Sequence, residues 1–314
     1  MADKPQLHHP WLVAVWPGMG NVALSAGYYL LTKLGMNALA EFEANELFDV
    51  DHVEVKNGLI QPTGLPRNRL FVWTDPKQKH DLVLFLGEAQ PPIGKNAFCR
   101  QLIAYAQELG VERVFTFAAM ATQMHPERRS RVFVAGTDRD NLEELQRLEL
   151  EPLEDGNIGG LNGVLLGAAL AGGMHGACLL GEMPHIFSQL PFPKASLAIL
   201  EVFTAIAGID LDFSELAEQA KVMEQQLGEL LARVEKEYGQ RYAGDESGAL
   251  EEGSFGGEAK EEEGLRPADA ERLENLFDKA EKDRAKAFEL KQELDRLGVF
   301  KDYEDRFLDL FKSP

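Results

Sequence analysis

Near-continuous runs of apolar residues alternate along most of the chain with segments whose apolar residues recur at helical spacing. A run such as DLVLFLG (81–87) is typical of a strand that is covered on both faces of a sheet. Alternation of such strands with helices predicts an α/β fold, with a mixed, mostly parallel sheet between two layers of helices. The predicted strands are 11–16, 37–44, 81–87, 113–119, 131–137 and 176–183, and the predicted helices are 21–33, 96–109, 138–148, 193–208 and 213–238, with one more that begins near residue 160.

Two further β-like segments, 53–62 and 69–76, are separated by Pro, Gly and Asn residues. This punctuation predicts a hairpin or a meander. Gly110 and Gly208 each follow an apolar helical pattern, at the position where glycine commonly ends a helix. The connections are short, so residues 1–238 are interpreted as one α/β domain.

The composition changes sharply beyond that domain. Residues 239–266 are rich in glycine and glutamate and contain few core-forming residues, so they are interpreted as a disordered acidic linker. Residues 267–314 are interpreted as an amphipathic helical extension, with one helix over 267–297 and a short aromatic turn after it. The apolar stripe of that helix suits docking on a partner helix or on the domain itself. Its members are Leu273, Leu276, Phe277, Ala280, Ala287, Phe288, Leu294 and Leu297.

Charge and cysteine content narrow the range of partners. The 314-residue chain has a formal net charge of −20, which argues against nucleic acid or an anionic membrane as a partner because phosphates would be repelled. Its two cysteines, Cys99 and Cys178, lie inside apolar runs, as expected of buried thiols in a reducing compartment. The first ten residues lack the apolar region of a signal peptide. The sequence therefore predicts a cytoplasmic protein.

The stretch WLVAVWPGMGNVALSAGYYLL (11–31) nearly matches a dinucleotide fingerprint. Gly18, Gly20 and Ala23 give G-x-G-x-x-A between a strand and a helix, and acidic residues that could bind a ribose follow at Glu41 and Glu43. In that interpretation, backbone N–H groups and the helix dipole hold a pyrophosphate. Against it, Trp16 and Pro17 delay the first glycine, and Asn21 makes a suitable helix N-cap. In this alternative interpretation, the glycines only allow the strand and the helix to pack closely.

A second glycine cluster, DGNIGGLNGVLLG (155–167), lies at a predicted loop-to-helix junction. Its N–H groups could hold an anion, or its glycines could allow close packing of the helix. The segment GEAQPPIGKN (87–96) has the wrong spacing for a phosphate loop, and Asn96 stands where a Ser or Thr is needed. The tentative anion site therefore consists of the two glycine turns: Gly18, Gly20, Asn21, Gly159, Gly160 and Gly163.

Other chemistry is weakly supported by the sequence. His175, Glu182 and His185 could be considered as metal ligands, but their spacings of seven and three fit no helix face, so no metal is predicted. A G-x-S-x-G nucleophile motif is absent from the sequence. Cys99 and Cys178 lack an obvious catalytic partner, although His175 is close in sequence to Cys178. No cofactor is predicted.

Several separated segments together resemble the family of proteasome assembly chaperone two, which has prokaryotic members. The resemblance runs from about Leu12 to Glu237, and the order of the segments carries it. These segments are VAVWPGMGNVALSAGYYLLTKLG, DLVLFLGEAQPP, YAQELGVERVFTFAAMATQ, GNIGGLNGVLLGAAL and CLLGEMPHIFSQLPFPKASLAILEVFTAIAGIDLDFSEL.

This resemblance implies a three-layer α/β/α sandwich like that of the purine nucleoside phosphorylases. It also implies self-assembly into a small ring or similar oligomer, for example a trimer, and binding of proteasome subunits as clients. Landmarks of the family carry over to Gly18, Gly20 and Asn21, to Gly159, Gly160 and Gly163, and to Glu182, Pro184 and His185. The resemblance assigns no chemical role to them.

The chain departs from some archaeal relatives at its C-terminus. Those relatives carry a hydrophobic-tyrosine-any tail that docks between proteasome subunits, whereas Lys312 and Ser313 stand at that place here.

Two functions follow from the sequence. One is a non-enzymatic, homo-oligomeric protein that binds protein partners and assists their assembly, with proteasome-like subunits among the possible clients. The other is a phosphate- or nucleotide-binding enzyme of phosphorylase or ligase type that uses the two glycine turns.

Overall fold

The computed structural model describes residues 6–49, 53–56, 58–61, 64–148, 150–242 and 265–312. The predicted acidic linker therefore lies largely outside the described residues. The strands are β1 (Trp11–Val15), β2 (Asn37–Glu41), β3 (Glu54–Lys56), β4 (Leu59–Gln61), β5 (Asn68–Trp73), β6 (Leu82–Gly87), β7 (Arg113–Thr122), β8 (Val132–Gly136), β9 (Glu151–Pro152) and β10 (His175–Pro184). The helices are α1 (Val22–Lys33), α2 (Lys95–Glu108), α3 (Arg139–Gln146), α4 (Gly160–Ala171), α5 (Pro193–Ala207), α6 (Ser214–Tyr242), α7 (Pro267–Lys282), α8 (Ala287–Leu297) and α9 (Phe300–Asp309).

The main sheet confirms the predicted α/β class. Within the described ranges it has the strand order β2-β5-β6-β1-β7-β10-β8-β9. Strands β6, β1, β7 and β10 run parallel, and the antiparallel pairs are β2–β5, β5–β6 and β8–β10. The central strands are buried on both faces, which explains their near-continuous apolar sequence.

Side chains alternate between two hydrophobic cores along each central strand. In β1, Val13 and Val15 face the core shared with α1 and α5, whereas Leu12 and Ala14 face the core shared with α2 and α4. This alternation follows from the two-residue period of a strand. Helices therefore cover both faces, and the fold is the predicted three-layer sandwich.

The predicted hairpin or meander is only partly correct. Strands β3 and β4 form a two-stranded sheet of their own, in which Val55 lies opposite Ile60. Strand β5 instead joins the main sheet between β2 and β6. Polar and apolar alternation predicts strands, but it does not say which strands pair.

The single helix predicted over 267–297 is two helices. Asp283 has an extended backbone, and its side chain accepts a hydrogen bond from the N–H of Ala285 at 3.0 Å, so helix α7 ends there and a short 3-10 turn precedes α8. The predicted terminal aromatic turn is helix α9. Its polar and apolar residues alternate at helical spacing, and Phe307 is fully buried.

The C-terminal helices α7–α9 pack on the same chain. The rings of Tyr29 and Phe288 meet edge to face, with centroids 4.6 Å apart, and Tyr28 contacts Phe300 similarly at 5.2 Å. The carbonyl oxygen of Phe311 accepts a hydrogen bond from the N–H of Ala38 at 2.7 Å. These contacts join the C-terminal helices to α1 and to the outer edge of β2.

Candidate functional site

The first glycine turn connects β1 to α1 through a 3-10 turn over Met19–Asn21. Gly20 has a φ of +61°, and a Cβ placed on it would lie 2.9 Å from the side chain of Met183. Its N–H donates to the carbonyl oxygen of Ser188 at 2.9 Å. The left-handed backbone and the close approach of Met183 therefore favour glycine at position 20.

Asn21 occupies the expected N-cap position but does not cap the helix with its side chain. Its backbone is left-handed, with a φ of 50°, and no side-chain cap hydrogen bond forms. Its N–H instead donates to the carbonyl oxygen of Gly18 at 3.1 Å. The predicted capping role is wrong because an N-cap side chain reaches the first turn from an extended backbone, which Asn21 lacks.

The second glycine turn begins α4. Gly160 has a φ of +68°, and a Cβ on Gly163 would collide with the carbonyl oxygen of Ile158. Because that oxygen belongs to the backbone, glycine at position 163 is needed for the approach of the entry loop to the helix. Gly159 differs, since a Cβ placed there would have no described heavy atom within 4 Å, and the same holds for Gly18.

Gln90 joins the two turns. Its Nε2 donates to the carbonyl oxygen of Pro17 at 3.2 Å, and its Oε1 accepts a hydrogen bond from the N–H of Leu161 at 3.0 Å. Sequence analysis missed this residue, although it lies in the segment DLVLFLGEAQPP that contributes to the family resemblance. Its signal was its position three residues after the end of β6.

A cavity of about 460 Å³ lies between the two turns. It is located at the carboxyl ends of β1, β7 and β10, where open α/β sheets commonly bind ligands. Gly18, Gly159 and Gly160 line it, whereas Gly20, Asn21 and Gly163 are not among its described lining residues. Its wall is formed by Ala118–Ala121 and Leu180. The structure thus brings the two predicted turns together at one cavity, and an anion bound there stays a prediction.

The acids proposed to bind a ribose lie far from this cavity. Glu41 ends β2, which is separated from β1 by β5 and β6. Its carboxylate is paired with the guanidinium of Arg67. A dinucleotide fingerprint needs the acidic residue beside the first strand, so this strand order does not provide the ribose contact.

Glu182, one of the family landmarks, is a buried member of an ion pair. It is only 4% exposed, and its two oxygens accept hydrogen bonds from Nε and Nη2 of Arg131, each at 2.8 Å. The hydroxyl of Thr122 donates to the same carboxylate at 2.8 Å. The Arg131 guanidinium holds the pKa of Glu182 below its usual value. This cluster links β10 to β7 and to the residue before β8.

The other two family landmarks, Pro184 and His185, lie at the carboxyl end of β10. Pro184 is the last residue of β10, and His185 begins a short 3-10 turn. The ring Nδ1 of His185 lies 3.0 Å from the carbonyl oxygen of Thr122.

His175 is at the opposite end of β10, about 23 Å from Glu182 at 3.3 Å per residue. Among the residues that the structure describes, no group of three or more His, Cys, Asp or Glu side chains could hold a metal.

Both cysteines are buried. Cys99 lies in α2 and Cys178 in β10, and burial raises the pKa of each thiol to about 12. A thiol with that pKa is protonated at neutral pH and is a poor nucleophile. None of the described helices is long and apolar enough to cross a membrane.

Comparison with known proteins assigns this architecture to a family. Residues 12–231 match the PAC2 family, and the matched segment contains both glycine turns, Gln90 and Glu182. The chain belongs to the PAC2 family. The PAC2 segment ends within α6, so the C-terminal helices α7–α9 lie outside it.

Relatives of this PAC2 protein include an uncharacterized protein of Methanocaldococcus jannaschii. It is 27% identical over 226 residues, which are 71% of this chain and 83% of the relative. The crystal structure of Pyrococcus furiosus PbaB, described as an archaeal proteasome activator, is 28% identical with a TM-score of 0.62, and the match covers 74% of this chain and 96% of PbaB. A PAC2 family protein from Streptomyces avermitilis is also 28% identical, with a TM-score of 0.61 and coverage of 70% and 95%.

Proposed function

We propose that this PAC2 protein is a non-enzymatic, homo-oligomeric protein that binds protein partners and assists the assembly of a multisubunit complex. The observation that carries the proposal is the match to PbaB, an archaeal proteasome activator, over 96% of that chain. Proteasome-like subunits are therefore the first client to test. Self-association into a small ring follows from the resemblance to the assembly chaperones.

The carboxylate and thiol groups near the sheet are already hydrogen-bonded or buried, which supports a binding role over a catalytic one. The carboxylate of Glu182 is held by Arg131 and Thr122, and the thiols of Cys99 and Cys178 are protonated at neutral pH. These groups stabilise the fold and are poorly placed to act as acid, base or nucleophile.

Exposed apolar side chains in the first glycine turn and in the segment that lies against it also support it. Met19 is 44% exposed, and Ile186 and Leu190 are 53% and 40% exposed. The segment that carries Ile186 and Leu190 lies against the first turn, where Ser188 accepts the hydrogen bond of Gly20. Exposed apolar residues that lie near one another are typical of a protein-binding surface.

The experiment uses tagged full-length protein purified from its own cells, with light scattering to measure its mass. We expect an oligomer and stoichiometric recovery of the subunits of one complex. The variant Ile186→Asp should lose those subunits. The matched control Leu170→Asp changes an equally exposed residue at the far end of α4 and should retain them. A monomer that recovers no stoichiometric protein would contradict the proposal.

The second candidate function, a phosphate- or nucleotide-binding enzyme, is favoured by the meeting of both glycine turns at one cavity. It predicts that phosphate or a nucleotide raises the melting temperature and that a phosphorylated compound co-purifies with the protein. Recovery of such a compound without a protein partner would favour this candidate over assembly.

A further inference from the structure

A second cavity, of about 700 Å³, lies where the C-terminal helices meet the α/β core. Pro17 follows β1 and Gly87 ends β6, and both residues line this cavity. Another part of its wall is formed by residues of α8 and α9, among them Gln292 and Phe300. Because α8 and α9 lie outside the PAC2 segment, the core alone does not form the second cavity.

The second cavity is located where the sheet changes direction. The neighbouring parallel strands β1 and β6 are followed by helices on opposite faces, since α1 packs in one hydrophobic core and α2 in the other. Open α/β sheets commonly bind ligands in the crevice outside the carboxyl ends of two such strands. The volume also lies within the range of ligand-binding pockets. Position and size therefore both indicate a site for a small molecule.

The charged side chains that line the second cavity are already paired. They form four ion pairs with N–O distances between 2.6 and 2.8 Å: Arg69–Glu88, Lys291–Asp295, Lys301–Glu304 and Arg296–Glu293, in which Glu293 lies outside the lining. The side chains of Arg69, Glu88 and Glu304 are 9%, 13% and 9% exposed. A charged ligand would take a partner from such a pair and leave a poorly hydrated charge behind. The lining therefore favours an uncharged ligand.

Neutral polar side chains of the same lining are free to bind a ligand. Five of them have no hydrogen-bond partner in the part of the chain that the structure describes: Asn21 at the start of α1, Ser25 in α1, Gln219 and Gln226 in α6, and Gln292 in α8. All five are exposed or half-buried, so an occupant of the cavity reaches them from solvent. A side-chain amide supplies both donors and an acceptor, and it matches a ligand group that does the same.

The placement of these free groups selects the shape of the ligand. They belong to three different helices, so the ligand needs donors and acceptors around its circumference, as a ring bearing several hydroxyl groups has. A flat aromatic ligand is less suited, because the ammonium of Lys291 already lies 4.8 Å and 3.8 Å from the ring centroids of Tyr28 and Phe300. Leu24 and Met223 give the lining apolar contacts for a carbon skeleton.

We propose that the second cavity binds an uncharged polyhydroxylated small molecule of the size of a monosaccharide or disaccharide. Its hydroxyl groups exchange hydrogen bonds with the amides of Gln219, Gln226 and Gln292, and its carbon skeleton contacts Leu24 and Met223. The site is separate from the cavity between the glycine turns, and it goes beyond the proposed assembly function. Because the ligand contacts both the core and α8, its binding also stabilises the attachment of the C-terminal helices.

The first test is nuclear magnetic resonance of full-length protein with nitrogen-15 in its glutamine side chains. The uncharged probes are D-glucose, maltose and myo-inositol at millimolar concentration, and glucose 6-phosphate and glucosamine are charged counterparts of glucose. We expect at least one uncharged probe to shift the amide resonances of Gln219, Gln226 and Gln292. Gln225, which is exposed on the same helix but outside the lining, should not shift. No shift with any uncharged probe, or larger shifts with a charged counterpart, would overturn the proposal.

The second test removes single amides from the lining. Gln226→Leu and Gln292→Leu keep a side chain of similar size, and Gln225→Leu is the matched control at the neighbouring position of α6. The first two variants should bind the tightest uncharged probe at least about tenfold more weakly, and the control should bind it like the parent. All three should keep the melting temperature of the parent without probe, because none of the amides has a described partner. Equal affinity of the three variants would contradict the assigned site.

The third test measures the attachment of the C-terminal helices by limited proteolysis. A saturating concentration of the tightest uncharged probe should slow the cleavage of α7–α9 in the parent and in Gln225→Leu, but not in Gln292→Leu. Slower cleavage in Gln292→Leu as well would show that the probe acts from another site. An unchanged rate in the parent would show that the ligand does not bridge the core and α8.

Discussion

The α/β core and the C-terminal helices α7–α9 are held by different kinds of contact. In the core, backbones approach so closely that a single added carbon has no room, as at Gly163 and at Gly181, where a Cβ would lie 2.7 Å from the carbonyl oxygen of Ala195. The C-terminal helices are joined to the core mainly by side chains, with aromatic edge contacts and charged hydrogen bonds.

This difference coincides with the end of the family match. The PAC2 segment stops at residue 231, and helix α7, the first of the C-terminal helices, begins beyond it at Pro267. Close backbone approach leaves glycines at fixed places in the sequence, whereas side-chain contacts tolerate many apolar substitutions. The core is therefore recognisable from its glycine turns, and the C-terminal helices form an added layer on α1 and β2.

The largest expected effect comes from truncating a buried phenylalanine in each region. Phe203→Ala in α5 removes a ring packed between Phe115 and Phe117, and Phe307→Ala in α9 removes one packed against Tyr28 and Phe300. Each should cost about 3–5 kcal/mol of the free energy of unfolding of the unit that contains it. All three tryptophans lie in the core, so fluorescence reports the core and circular dichroism reports all helices.

We expect denaturant unfolding of Phe307→Ala to show a loss of helical signal before the tryptophan transition. Phe203→Ala should shift both signals together. If the two signals also stay superimposed in Phe307→Ala, the C-terminal helices and the core unfold as one cooperative unit, and the proposed contrast between them does not extend to stability.

A smaller effect is expected from adding one carbon at a core glycine. Gly163→Ala would push a methyl group against the backbone carbonyl of Ile158, and we expect it to cost about 3 kcal/mol because the backbone must shift. The matched variant Gly167→Ala, on the same helix with open space, should be stabilising by up to about 1 kcal/mol. Equal stability of both variants in denaturant titrations would contradict the requirement for glycine at position 163.

Much of the sheet was predictable because its central strands are buried on both faces. The run 81–87 became β6 (Leu82–Gly87), and the runs 113–119 and 176–183 lie within β7 and β10. The pairing of β3 with β4 and the break at Asp283 were not predictable in the same way. They depend on partner choice and on one side-chain hydrogen bond, and neither changes the hydrophobic pattern.

The candidate site was predictable in part. Glycine spacing marked both turns, but the bridge made by Gln90 depends on the tertiary approach of two turns far apart in sequence. The role of Glu182 also needed the structure. Its partner, Arg131, lies 51 residues earlier and carries no local motif.

The next effect in size concerns the ion pair at the carboxyl end of β10. Glu182→Gln removes the charge that accepts two hydrogen bonds from Arg131, and we expect a loss of about 2 kcal/mol at pH 7. The loss is moderate because Arg131 is half-exposed and can be hydrated. Glu151→Gln removes an exposed partner of the same arginine and should cost less than about 1 kcal/mol.

This pair also predicts a dependence on pH. The pKa of Glu182 in the folded protein lies below the reference value of 4.5, so its contribution is present above that value and is lost as the pH falls through the folded pKa. The difference in unfolding free energy between the parent and Glu182→Gln should therefore shrink between pH 7 and pH 3. A difference that stays constant over this range would show that the charge of Glu182 does not provide the stabilisation.

The smallest effect distinguishes two neighbouring tyrosines on α1. The hydroxyl of Tyr28 donates to Glu304 of α9 at 2.7 Å, whereas that of Tyr29 donates to the backbone carbonyl of Asp212 at 2.6 Å. Each Tyr→Phe change should cost about 1 kcal/mol, but Tyr28→Phe should weaken the attachment of the C-terminal helices alone. Limited proteolysis of those helices should accelerate several-fold in Tyr28→Phe and stay unchanged in Tyr29→Phe. Equal acceleration in both variants would mean that α1 transmits any loosening to the C-terminal helices, whichever region the lost hydroxyl contacts.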